Sequence, residues 1–187
     1  MAGFGGSGKT TLAHAVGEQL QWPVIDKDVL KSKIVRTIPG LSIDMASKLA
    51  YELLFTLARE YIVIQRISVI LDTSAAFASV AEFAHDLVEE ADANLKILFC
   101  KVDGQIRHVR LQQRNNHDTR GRQLPVDTSV RVKENWNLFD HLPLEYLIEL
   151  DTSQALEEYL QRALLYLREE RPGLCPLSPQ KVPVCNY

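Results

Sequence analysis

An α/β fold with a mostly parallel sheet is what the sequence predicts, and three observations carry the prediction. Short apolar, β-branched runs alternate with longer segments of helical period along the chain. The four strand candidates end in aspartate, or in one case are followed at once by Asp103, so carboxylates gather where a parallel sheet presents the carboxyl ends of its strands. A glycine-rich stretch, Gly3 to Thr10, runs straight into the first helical segment.

Strands are expected at 22–26 (WPVID), 68–72 (SVILD), 95–102 (LKILFCKV) and 146–151 (YLIELD), because each is short, apolar and rich in β-branched residues. Helices are expected at about 9–20, 27–37, 44–62, 78–91, 104–115, 128–139 and 153–169. Val80, Phe83, Ala84, Leu87, Val88 and Ala91 form one apolar stripe, and Leu156, Leu160, Leu164 and Leu167 form another. Asp103, Asp127 and Ser153 stand where N-caps belong, and Pro39-Gly40 stops the helix that starts near Lys27. Residues 1–171 read as one domain. The helical pattern ends at Pro172, and 172–187, with four of the eight prolines, reads as a flexible tail.

Composition excludes several classes. The chain has 187 residues, 46% of them apolar, enough for a core that needs no disulfide or metal staple. Cys100, Cys175 and Cys185 form no CxxC spacing, which argues against a cystine scaffold or zinc ribbon and for a reducing, cytoplasmic setting. No apolar run approaches ~18 residues, and the start MAGFGG lacks a basic region followed by an apolar one, so no membrane or export role is expected. Within a net charge of −3, residues 107–133 hold seven Arg/Lys against two Asp, a basic island in an acidic chain. That island suits a local anion site; the plainer alternative is a solvated helix face.

Gly3-Phe4-Gly5-Gly6-Ser7-Gly8-Lys9-Thr10 fits G-x-x-x-x-G-K-[ST], the phosphate-binding loop. Glycines let successive backbone N–H groups turn toward phosphate oxygens, and the helix that follows aims its positive end at them. Gly5, Gly6, Ser7, Gly8, Lys9, Thr10 and Thr11 are therefore the expected nucleotide-binding residues, Lys9 neutralising the β/γ-phosphates and Thr10 offering a hydroxyl to Mg²⁺. Only two residues precede Gly3, so the strand expected to enter such a loop is missing or truncated.

Asp26-Lys27-Asp28 closes the second expected strand. If that segment stays extended, both carboxylates face one crevice, Asp26 holding Mg²⁺ through water and Asp28 taking a proton from an acceptor hydroxyl. The alternative has Asp28 capping the next helix and Asp26 merely exposed. Val69-Ile70-Leu71-Asp72 ends in a carboxylate suited to the Mg²⁺ shell, or to capping a helix. Arg107, Arg110 and Arg114 share one helix face, with His117, Arg120 and Arg122 beyond, a row suited to a transferring phosphoryl group or, more plainly, a solvated basic stripe. Arg110 and Arg114 are the leading candidates. The histidines form no HxxxH or HxH pair, and the basic island has aromatics only past its end, at Trp136 and Phe139, so neither a histidine metal site nor a nucleic-acid groove is favoured.

Together, GFGGSGKTTLA at 3–13, VIDKD at 24–28, SVILDTS at 68–74, RHVRLQQR at 107–114 and ELDTS at 149–153 resemble the small P-loop kinases and AAA-domain-type ATP-binding proteins, relatives of shikimate kinase, gluconate kinase, chloramphenicol phosphotransferase and zeta toxin. The resemblance implies a P-loop NTPase fold, a three-layer α/β/α sandwich whose parallel sheet has the order 2-3-1-4-5. It also implies ATP with Mg²⁺, an arginine-bearing lid near 104–124, and an adenine pocket near Thr152 and Ser153. Asp26 and Asp28 match the family's DxD region and Asp72 its Walker B position. The expected activity is transfer of the ATP γ-phosphoryl group to a hydroxyl of a small molecule. Two alternatives are a nucleotide-binding regulatory module with little turnover and a kinase acting on nucleic-acid ends.

Overall fold

The computed structural model describes residues 1–116 and 139–169, with the backbone alone at 114–116. Helix α1 (Lys9–Leu20) follows the glycine loop, then β1 (Val24–Asp26), α2 (Lys27–Thr37) and α3 (Ile43–Arg59), which runs on into a π-helical turn, Glu60–Ile64. Next come β2 (Ile70–Asp72), α4 (Ala78–Ala91), β3 (Ile97–Lys101), α5 (Gly104–Asn116), a 3₁₀ turn (Leu144–Tyr146), β4 (Leu147–Asp151) and α6 (Leu156–Arg168).

The four expected strands all form, and all are parallel to their partners. β1 pairs with β2, aligning Asp26 with Asp72, and β3 pairs with β4 from Ile97↔Leu147 to Lys101↔Asp151. Between the two pairs lies Met1–Gly3. The Met1 amine donates to Leu71 O at 2.9 Å, Ala2 N to Leu98 O at 2.8 Å, Cys100 N to Ala2 O at 2.9 Å, and Gly3 N to Ser74 O at 3.1 Å. The spatial order is therefore β1, β2, Met1–Gly3, β3, β4, with the short first segment in the centre.

Burial alternates along β3 in a way that defines three layers. Leu98 and Cys100 join Leu12, Ala13 and Val16 of α1 and Tyr159, Ala163 and Tyr166 of α6 in one core. Ile97 and Phe99 point the other way, into a second core with Val80 of α4 and Phe139, Leu142 and Tyr146. A third cluster, Ile25, Leu54, Ala58 and Leu87, seats α3 and α4 over β1 on that second side. A strand buried on both faces must be apolar at every position, which is why ILFC reads as a continuous run. Cys100 is fully buried among apolar neighbours, and that burial pushes its thiol up to about 11.

Several local expectations change. The buried face of α6 centres on Tyr159, Ala163 and Tyr166, while Leu156, Leu160, Leu164 and Leu167 only flank it, because large tyrosine rings fill the space against α1. Ser153 does not cap α6: its N–H and hydroxyl both donate to the Asp151 carboxylate, and these bonds hold that carboxyl below its ordinary range. Asp103 does receive the Gln105 amide, at 2.8 Å. Most of the expected helix 128–139, Asp127, His117, Arg120, Arg122, Cys175, Cys185, residues 117–124 of the expected lid and the 172–187 tail lie outside the described residues. No described helix is long and apolar enough to cross a membrane.

Candidate functional site

The glycine loop wraps the amino end of α1. Gly8 is the left-handed N-cap, at φ 84°, with no side chain capping the helix and no acidic residue in its first turn. The first-turn amides and the positive end of the helix are thus left for an external anion. Inside the loop, Phe4 O accepts from Ser7 N at 3.2 Å and from Lys9 Nζ at 2.7 Å, so the lysine folds back over the concavity it is expected to fill. Ser7 Oγ is completely buried and has no hydrogen-bond partner among the described residues. An orphaned hydroxyl at the base of such a loop fits a phosphate-binding role, since an unmade buried bond costs about 1–3 kcal/mol.

Helix α5 closes on the loop from the side. Arg107 lies over the Phe4 ring, 5.3 Å from its centroid, and Phe4 meets Phe139 edge-on at 5.2 Å. Arg110 sends one guanidinium nitrogen to Thr152 O at 2.6 Å and another toward Thr152 Oγ1 at 3.4 Å. Its Nη1 lies 3.7 Å from the point where a Gly8 side chain would begin, so a fixed positive charge sits beside the amino end of α1. Arg114 lies on the same helix, and its side chain is outside the described residues.

Thr152, the residue expected near an adenine pocket, lies directly after β4. It is fully buried, and its hydroxyl donates to Ser7 O at 2.8 Å and reaches Lys101 O at 3.1 Å. The residue after β4 therefore ties the last strand to the phosphate loop.

Asp26 and Asp72 stand side by side at the carboxyl ends of β1 and β2. Both are buried, and Asp72 shares a hydrogen bond with Thr10. Burial foremost pushes the Asp72 carboxyl above its ordinary range, and the Asp26 charge adds to this; the Thr10 hydrogen bond and the Lys9 ammonium oppose it. Among the described residues no three His, Cys, Asp or Glu gather into a metal cage. A cation here would rest on Thr10 and a carboxylate pair together with phosphate oxygens, a set that suits Mg²⁺.

The DxD reading needs correction. Lys27 already opens α2, so the two-residue alternation of a strand no longer applies to Asp28. It is Asp26 that caps α2, its Oδ1 accepting from Asp28 N at 2.8 Å and Val29 N at 3.1 Å. Asp28 occupies the first helical turn, half-exposed, 2.8 Å from Lys27 Nζ. Lys27 also lies over the Tyr51 ring, and the Tyr51 hydroxyl meets Thr73 Oγ1 at 3.2 Å. Lys27, Tyr51 and Thr73 thus join Asp28 in one wall beside Asp72. Local sequence pattern does not bring Lys27 and Tyr51 together, because the meeting of α3 with the end of β2 has no periodic signal.

A titration consequence follows from the Asp72 geometry. A carboxyl raised in the folded state contributes most stability below its unfolded pKa of about 3.9 and loses it as pH rises through the higher folded value. At neutral pH the ionised Asp72 is a net cost. Asp72→Asn is therefore expected to raise Tm at pH 7 in a thermal melt; a lowered Tm would show that the charge is well compensated.

The sequence profile of the AAA domain family matches residues 1–136. The chain belongs to the AAA domain family. No curated protein matches this AAA domain by sequence. Among solved structures it is similar to one from Chloroflexus aurantiacus J-10-fl described as "a putative kinase", with TM-score 0.68, 20% identity, and coverage of 89% of this chain and 93% of the other. It is also similar to a gluconokinase from Sinorhizobium meliloti 1021, with TM-score 0.54, 22% identity, and coverage of 89% and 88%. This AAA domain accordingly has the P-loop NTPase fold. Its strand order corresponds to 2-3-1-4-5, with Met1–Gly3 in position 1.

Proposed function

We propose that this AAA domain is a phosphotransferase that moves the γ-phosphoryl group of ATP to a hydroxyl of a small molecule. The observation that carries the reading is the convergence on one loop of an uncapped helix end, the Arg110 guanidinium and the Asp72–Thr10 pair, with the reachable carboxylate of Asp28 on the neighbouring wall. The kinase descriptions of the two similar structures agree with it.

In this reading the loop amides from Gly5 to Thr11 and the Lys9 ammonium bind the phosphates. Thr10, Asp72 and Asp26 hold Mg²⁺, which supplies charge neutralisation on the β- and γ-phosphates when bound. Asp28 orients the acceptor hydroxyl and takes its proton as the new O–P bond forms. Arg110, and Arg114 one turn further along α5, stabilise the charge spread over the transferring group. The Phe4–Arg107 contact keeps α5 against the loop and limits water access.

An ATP-consumption screen with Mg²⁺ against sugars, aminoglycoside-type and phenolic antibiotics, hydroxy acids and nucleosides tests the proposal. Acceptor-dependent ADP release with a phosphorylated product is expected. Tight ATP binding with no transfer to any acceptor would instead support a regulatory module. Within the same reading, Lys9→Ala is expected to weaken ATP binding about 10- to 150-fold, the worth of charged hydrogen bonds of about 1.5–3 kcal/mol. Titration calorimetry checks this, and an unchanged affinity would leave Lys9 bonded to Phe4 O in the complex.

A further inference from the structure

We propose that Lys31, together with Lys27, binds a negatively charged group on the acceptor, so that the hydroxyl receiving the phosphoryl group belongs to a small anionic alcohol. The inference rests on the phosphotransfer reading, with Asp28 at the reacting hydroxyl. What motivates it is a buried cation with no counter-ion. Lys31 is 8% exposed, and among the described residues its ammonium makes no hydrogen bond or ion pair. Burying an ammonium without a bonded anion is costly, so the position calls for a partner that the described chain does not provide.

Lys27, Lys31 and Ile34 follow one face of α2. Ile34 packs with Ala46 and Ala50 of α3, and Lys27 lies over the Tyr51 ring, so Lys31 stands between these contacts in the cleft of the two helices. Burial foremost lowers the Lys31 pKa, and the Lys27 charge adds to this; Asp28 and Asp44 oppose it. Both carboxylates are engaged elsewhere. Asp28 lies 2.8 Å from Lys27 Nζ, and Asp44 is exposed in the first turn of α3, beside that helix's positive end. The Lys31 ammonium is nevertheless not fully enclosed, so a ligand reaches it.

Spacing along the helix limits the ligand. Asp28 and Lys31 are three residues apart on one side of α2, about 4.5 Å along its axis. A hydroxyl held at Asp28 therefore places the next few atoms of the acceptor at Lys31 and Lys27, which suits a carboxylate or a phosphate a few bonds from that hydroxyl. Phe77, 58% exposed, meets Tyr51 edge-on at 6.1 Å and offers an apolar surface for the carbon skeleton. A neutral sugar or nucleoside leaves Lys31 without an anion and is disfavoured.

The test uses the full chain and matched probes, D-glycerate and glycerol phosphate against neutral glycerol, the two anions separating carboxylate from phosphate as the favoured group. Followed by NMR at the Lys31 ε-CH₂ group, a saturable shift is expected with at least one anion and none with glycerol. Among acceptors turned over in the ATP-consumption screen, anionic compounds are expected to exceed their neutral counterparts in kcat/KM by about tenfold or more, the worth of a charged hydrogen bond. Lys31→Met keeps the aliphatic stem, removes the charge and should raise the KM of the anionic acceptor by a similar factor with ATP affinity unchanged; Lys31→Arg should recover most of the loss. The proposal is overturned by absence of a saturable Lys31 shift with both anions, by equal kcat/KM for the neutral counterparts, or by an unchanged acceptor KM in Lys31→Met, each of which would make Lys31 a packing residue. A saturable Lys31 shift with no acceptor turned over would support the anion site and overturn the phosphotransfer reading instead.

Discussion

Asp28→Asn is expected to lower the rate of phosphoryl transfer by about 10²- to 10⁴-fold, the worth of a positioned general base, with ATP affinity unchanged. The separation of the two effects follows from geometry. Asp28 lies in the first turn of α2, on the wall formed with Lys27, Tyr51 and Thr73, and its amide rather than its carboxylate is used in capping the helix. Asparagine keeps the shape and the helix start and loses the ability to accept a proton. Steady-state kinetics with the acceptor found in the screen, alongside calorimetric ATP titration, reads both quantities. Near-full activity in the variant would remove Asp28 from the role of base.

Gly6→Ala is expected to damage both stability and nucleotide binding. Gly6 has φ 82°, and a Cβ there would lie 2.9 Å from Leu111 Cγ, 3.0 Å from Arg107 Cγ and 3.1 Å from Arg107 O. The two side-chain atoms can turn aside, but the carbonyl belongs to the backbone of α5, so the helix itself must shift. Strain plus overpacking of this kind costs about 1–3 kcal/mol, and each kcal/mol lowers Tm by about 2–4 °C in a chain of this size. A moved α5 also carries Arg110 away from Thr152 and Gly8, so ATP affinity falls with Tm. A variant that melts like the parent protein would mean that α5 gives way without cost.

How much of this was legible in the sequence depends on whether the cause was local. The loop, the strands and α1 were readable because phosphate binding by backbone amides imposes a glycine pattern, and burial on two faces imposes apolar runs. Asp72 was placed correctly at a strand end for the same reason. The Asp26–Asp28 geometry was misjudged because one residue, Lys27, decides whether the segment is strand or helix, and the cap that decides it is a side-chain bond from Asp26. On α6, periodicity found the right helix but favoured the leucines over Tyr159 and Tyr166, whose rings outweigh them in the core. The partners of Thr152 were not legible, since a hydroxyl that bridges two distant backbone carbonyls leaves no mark in local pattern.

The bond from Thr152 to Ser7 O spans 145 residues of chain. During synthesis the phosphate loop leaves the ribosome well before the threonine that fixes it. At about 5–20 residues per second the loop waits roughly 7–30 s for its support. Over that interval the nascent protein has the glycines and the lysine of a nucleotide site without the anchor that shapes them. A chain cut short before residue 152 would carry the most recognisable motif in the sequence and lack the contact that holds it in place.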